Sequence, residues 1–171
     1  MKLNRALAYL KEECFDAALA DTECLTSSSD APEKALYRAG QALYNQGRFS
    51  ECQVILALLC KKYPNIDATK ELARVSRRLE EQRSGMYDFK AIYKEASKLR
   101  PPHLDHATFT GPVIVKASKG RGRGLLTTKA IRAGDLLLCE KAFAHCYART
   151  DEDEAVKSSN ISLLMNLQTN R

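Results

Sequence analysis

The sequence predicts an α+β chain: an array of about three helix pairs over residues 1–99, then a small β unit over 113–147. Three observations lead there. Apolar and small side chains recur at three- and four-residue steps through the first part of the chain, and the pattern returns after 34 residues. The run Arg100-Pro101-Pro102 then stops helix formation, because proline cannot continue a helix and disfavours α geometry in the residue before it. Beyond it, alternating glycines at 120, 122 and 124 precede a stretch with the threonines, isoleucine and short apolar runs of strands.

The best-defined helical unit is 33–66. Leu36, Ala39, Gly40 and Leu43 fall on one helix, Cys52 and Leu56 on the next, and Pro64 closes the unit. Ala39, Gly40 and Cys52 are small enough to let the paired helices approach, and Gly47 with Phe49 marks the turn between them. This spacing resembles the tetratricopeptide (TPR) signature. Upstream, residues 4–28 align as a partial repeat, Phe15 matching Phe49 and Ala18 matching Cys52; on that register the first helix would begin before Met1. The stretch 26–30 reads as the loop between repeats, and Ala31-Pro32-Glu33 opens the next helix. Downstream, residues 67–99 read as a degenerate capping pair. Leu72, Val75 and Leu79 form one core stripe, and Met86, Phe89, Ile92, Tyr93, Ala96 and Leu99 form a second. Residues 100–112 read as a linker, with His103 and His106 as ordinary surface residues. After the β unit come an acidic loop and an amphipathic helical pattern over 161–167, together spanning 148–171.

Composition bounds the function. At 44% apolar residues the chain can bury real cores, and its longest apolar run, Val54 to Cys60, is far too short to span a membrane. The charged N-terminal turns do not read as a signal peptide. Six cysteines without a C-x-x-C pair suit a reducing compartment, cytoplasm or nucleus. Cys139, His145 and Cys146 have poor ligand spacing, so no metal is expected. The net charge of +6 is uneven: residues 61–100 carry eleven Lys/Arg against six Asp/Glu, and 113–141 carry seven against two. Without nucleic-acid motifs or interleaved aromatics, a solvated face explains the first patch, and nucleic acid is not an expected partner.

The glycine stretch excludes two familiar readings. A dinucleotide fingerprint needs a helix directly after the glycines, and a P-loop needs Gly-Lys-Ser/Thr; neither is present. Instead GRGRGLLTTKAIRAGDLLLCEKAF, residues 120–143, preceded by Val113-Ile114-Val115-Lys116, resembles the opening of a SET domain, the fold of most protein-lysine methyltransferases. The resemblance implies that Gly120, Arg121, Gly122, Arg123, Gly124 and Leu125 wrap S-adenosylmethionine, with a lysine-bearing protein as the substrate of the parent enzyme. The family's Asn-His-Ser-Cys-like segment and later channel tyrosine have no counterpart among these residues. The resemblance therefore covers an N-terminal portion, and this stretch by itself is expected to be catalytically inactive and to hold cofactor weakly.

A second reading is a non-catalytic adaptor that binds a protein or peptide through the helical groove. TPR arrays that hold acidic chaperone tails use a carboxylate clamp, and on the register above Asn4, Lys34 and Arg38 fall on three of its five positions. Lys34 and Arg38 stand four apart on one helix face, suited to a two-point grip on a carboxylate.

Overall fold

The computed structural model describes residues 1–26, 30–98 and 104–141, and in them six α-helices and four short β-strands. These residues form two compact units, Met1–Met86 and Tyr87 onward.

The first unit is all helical: α1 (Lys2–Lys11), α2 (Phe15–Thr26), α3 (Glu33–Asn45), α4 (Phe49–Lys62) and α5 (Ile66–Ser84). Each helix packs on the next, and α1 also packs on α3. Phe15 and Phe49, which open α2 and α4, stand 34 residues apart, and Lys11 and Asn45 end α1 and α3 at the same interval. The helices approach closely because the facing residues are small. Ala6, Ala18, Ala35, Ala39, Ala42 and Cys52 are fully buried, and around them lie Leu36, Leu59 and Val75. Each of those larger side chains contributes roughly 1.5–3 kcal/mol by leaving water. At the α3–α4 crossing a Cβ added to Gly40 would sit 2.7 Å from Leu56 Cδ2. There the Cys52 thiol donates to the Gly40 carbonyl at 3.1 Å, and burial pushes the pKa of that thiol up to about 12. It is a packing residue, not a nucleophile.

The turns repeat as well. After α3, Gly47 adopts φ +72°, the Gly47 N–H donates to the Tyr44 carbonyl at 3.0 Å, and Arg48 N–H to Leu43 at 2.9 Å. That is a Schellman ending. After α1 the same two bonds run from Glu13 to Leu10 and from Cys14 to Tyr9, with Glu13 at φ +58°. Glu13 therefore occupies the left-handed position that glycine occupies 34 residues later. Between helices, Arg5 reaches across to Asp21 with two bonds of 2.7 and 2.6 Å, and these hold that carboxylate below its usual range. The Asn65 side chain caps α5, accepting from Ala68 N–H at 2.6 Å, and also donates to Glu33 at 2.9 Å.

The second unit contains α6 (Phe89–Ala96), β1 (Phe109–Thr110), β2 (Val113–Ser118), β3 (Gly122–Thr127) and β4 (Leu138–Cys139). β2 and β3 form an antiparallel hairpin, and β1 pairs antiparallel with β4. A turn spans Arg132–Asp135, as the residues Arg-Ala-Gly-Asp suggest. The Asp135 N–H donates to the Arg132 carbonyl at 3.1 Å, the Asp135 carboxylate accepts from Arg132 N–H at 2.8 Å, and Gly134 has φ +93°. Gly111 donates to the Leu137 carbonyl at 2.9 Å, and a Cβ on it would lie 3.0 Å from that oxygen, a tight contact that favours glycine.

Several expectations need correction. The division between the units falls at 86/87, not near 99, so α5 and α6 belong to different units. The stripe on α6 is not core: none of its residues is buried, and Phe89 and Tyr93 are exposed. Residues 104–112 are not simply linker, since Phe109–Gly111 pair with the 137–139 segment. His106 is half-buried, its ring edge-on to Tyr87 at 6.1 Å, and the Tyr87 hydroxyl donates to the Ala107 carbonyl at 2.7 Å. The apolar signal at 86–99 is real, but periodicity does not say which neighbour an amphipathic helix will find. Leu99, His103, His145, Cys146, the acidic run and the pattern over 161–167 lie outside the described residues.

Two substitutions check the helical packing. Glu13→Gly removes a left-handed conformation that costs an ordinary residue about 1 kcal/mol, so urea denaturation should show a gain of that order. Gly40→Ala should lose about 1–3 kcal/mol despite alanine's better helix propensity, because the Leu56 side chain is itself buried and cannot move aside. Combining Gly40→Ala with Leu56→Ala removes the clash, so the double variant should lose less than the sum of the two single losses.

Candidate functional site

The glycine stretch is a hairpin tip. Val113 pairs with Thr127, Val115 with Leu125 and Ser118 with Gly122, so the connection is Lys119-Gly120-Arg121. Arg121 N–H closes a four-residue turn on the Ser118 carbonyl at 3.0 Å, and Gly120 stands at its third position with φ +74°. That dihedral is the requirement of a type II turn, which explains why glycine follows Lys119. Gly122, at φ +76°, also lies in the region that favours glycine. The sequence suggests strand only after the glycines; β3 begins at Gly122, so two of the three glycines belong to it and not to a loop.

Gly124 is different. Its φ is outside the left-handed region, it sits opposite Lys116 in the middle of β3, and a Cβ there would meet nothing within 4 Å. Neither backbone nor packing requires glycine, and glycine in a strand costs stability. What glycine does leave is bare backbone that another molecule can approach. Arg121 and Arg123 are exposed, one at the turn and one on the strand opposite Ala117, and neither makes a side-chain hydrogen bond or ion pair among the described residues. Leu125 is 52% exposed beside Val115 at 58%. The six residues 120–125 thus form one slim, solvent-facing element that can surround a small ligand only from one side.

The clamp residues lie elsewhere. Asn4 is on α1, and Lys34 and Arg38 are on α3, in the helical unit, with Asn4 and Lys34 exposed. Arg38 is half-buried and its guanidinium donates to the Leu3 carbonyl, so it braces α1 against α3. A bound carboxylate would have to compete with that bond. The helical unit also carries a surface the sequence did not single out. Arg74 of α5 lies over the Tyr44 ring of α3 at 4.2 Å, and Glu71 lies 3.4 Å from Arg74. Burial, then Glu71 and Asp67, raise the Tyr37 hydroxyl pKa. The signal was available as Tyr37 and Tyr44, seven apart, but only the fold shows what they face. A groove of about 280 Å³ also opens between α2, α3 and α4, floored by Leu19, Leu43 and Ile55, with the Arg48–Glu51 pair at its edge. Among the described residues, no group of His, Cys, Asp and Glu could hold a metal ion, and no helix is long and apolar enough to cross a membrane.

The chain is similar to a protein of Gibberella zeae named "Methyltransferase", with 42% identity over 170 residues. That alignment takes in 99% of the chain but 23% of the relative, so the chain spans about a quarter of the relative's length. No family model matches it, and no solved structure matches it.

The three glycines should separate by substitution. Gly120→Ala and Gly122→Ala force alanine into the left-handed region, at about 1–2 kcal/mol each, and should speed amide hydrogen exchange across the hairpin. Gly124→Ala should leave that exchange unchanged or slow it, because its conformation and surroundings accept a methyl group.

Proposed function

We propose that this chain is the partner-binding and cofactor-turn portion of an S-adenosylmethionine-dependent methyltransferase of the TPR–SET kind, acting on protein lysine. The observation that supports it best is the similarity, across nearly the whole chain, to a protein named for methyl transfer. The glycine hairpin adds a physical reason, since Gly124 has no role in holding its own strand and leaves backbone open to a ligand. In this reading the backbone of Gly120 to Leu125 lies against the cofactor, with Arg121 and Arg123 on its flanks. The cofactor supplies an activated methyl group, and the rate of a direct displacement rests on alignment of donor and amine. This chain's residues would bind and orient; none of the described residues is assigned to the transfer itself. The helices α1–α5 would serve as the surface for a protein partner.

Calorimetric titration with S-adenosylmethionine tests this. Binding should be measurable, and Arg121→Ala/Arg123→Ala should weaken it at least about tenfold, as expected when a charge-assisted hydrogen bond is removed. Gly124→Val should do the same without unfolding the hairpin, because its side chain fills the approach. Equal binding by all three proteins would remove the hairpin from the cofactor site, and no binding by the unaltered chain would remove the cofactor reading from this portion.

A further inference from the structure

The β2–β3 hairpin is polarised along its length. Its open end is apolar, with Ile114 opposite Leu126 and Val115 opposite Leu125, all exposed. Its closed end is cationic. Residues 113–127 hold Lys116, Lys119, Arg121 and Arg123 and no acidic residue. All four cations are exposed, and none has a hydrogen-bonding or ionic partner for its side chain among the described residues. Between them stand only Ala117, Ser118, Gly120 and Gly122, with Gly124 just beyond, so the tip is as slim as a two-stranded ribbon can be.

Placement on the pleat adds the decisive point. Lys116 pairs with Gly124 and Ala117 with Arg123, so Lys116 and Arg123 project from opposite faces, while Lys119 and Arg121 extend at the turn. A single-sided partner, such as an acidic peptide lying along one face, would neutralise half of this charge. A groove with phosphates on both walls neutralises all of it. The major groove of B-form DNA is about 12 Å wide and admits a two-stranded β-ribbon, whereas the A-form groove is too narrow for side chains to enter. We propose that the tip of the β2–β3 hairpin binds double-stranded DNA through its phosphates, with Lys116 and Arg123 meeting opposite walls of the groove and Lys119 and Arg121 the phosphates along its edges. Composition argues against nucleic acid because this patch contains no aromatic residue or recognition motif. Phosphate contact needs neither; it needs unpaired cations on a backbone slim enough to enter. The proposal does not rest on the methyltransferase reading, and its test is made at Lys116 and Lys119, outside the 120–125 segment assigned to cofactor; Arg121 and Arg123 lie inside that segment, so duplex and cofactor would compete for them.

The test uses the whole chain and a labelled mixed-sequence DNA duplex of about 20 base pairs, followed by fluorescence anisotropy. Four phosphate contacts give a slope of log affinity against log salt near about −3.6, or roughly a hundredfold loss between about 50 and 200 mM salt. Lys116→Glu/Lys119→Glu should cut affinity at least about tenfold and shrink the slope by about half. Lys116→Arg/Lys119→Arg should keep both at their original values, which excludes misfolding as the cause. Amide hydrogen exchange across the hairpin, measured in parallel, should not change in either variant. The proposal is overturned by absence of binding at low salt, by unchanged affinity in the Glu variant, or by poly-glutamate displacing the duplex at equal charge concentration. The last result would make the hairpin a site for acidic protein.

Discussion

The helical unit depends on how closely α3 and α4 can approach at Gly40. With hydrogen in place of a side chain there, Leu56 drops onto the α3 backbone, and Cys52, the next small residue, comes near enough to donate to the Gly40 carbonyl. That crossing sets the positions of the turns on either side. The Gly47 ending of α3 lies at one edge, and at the other Tyr63 donates to the Ala31 carbonyl at 3.1 Å, joining the end of α4 to the start of α3. Larger residues such as Leu36 and Leu59 then fill the space that the close approach defines. Close packing of this kind leaves little slack, so the small residues, not the large ones, fix the geometry.

This is why the helical part was legible in the sequence. A requirement for small residues at fixed intervals leaves a pattern that survives without any structure, and Gly47 and Phe49 stand between α3 and α4 where that pattern puts the turn. Glu13 shows the limit of such reading: no sequence rule marks a glutamate as left-handed, and only its alignment with Gly47 does so. The α6 stripe failed for a different reason. Phe89 and Tyr93 have helical spacing, but spacing specifies a face and not its occupant. In the β region the turn at Gly120 and the turn at Arg132–Asp135 were legible because dihedrals dictate their residues. The pairing of Phe109–Gly111 with 137–139 was not, since two-residue strands distant in sequence carry no periodic signal.

Of the candidate site, the sequence placed the residues but not their freedom. Gly120, Gly122 and Gly124 look alike in a string of alternating glycines, yet two of them hold a turn and a strand start while the third has no internal task. Arg38 was singled out for an available charge and turned out to brace the Leu3 carbonyl. Both outcomes turn on hydrogen-bond and packing neighbours, which one-dimensional spacing does not contain.

The two units also differ in how they use charge. Residues 1–86 hold thirteen Lys/Arg against twelve Asp/Glu, and several of those cations are matched locally, as in Arg5–Asp21, Arg48–Glu51, Lys70–Asp67 and Arg74–Glu71. Exposed pairs of this sort add little stability each, but they leave a surface without a strong field. The hairpin has no such matching. Four cations within eight residues repel one another, and that repulsion costs stability in a two-stranded element that has little to spare. Among the described residues neither face of the hairpin is covered, and its side chains meet no acidic neighbour that would offset the cost. Charge held in that way is most simply understood as complementary to something anionic that the hairpin meets.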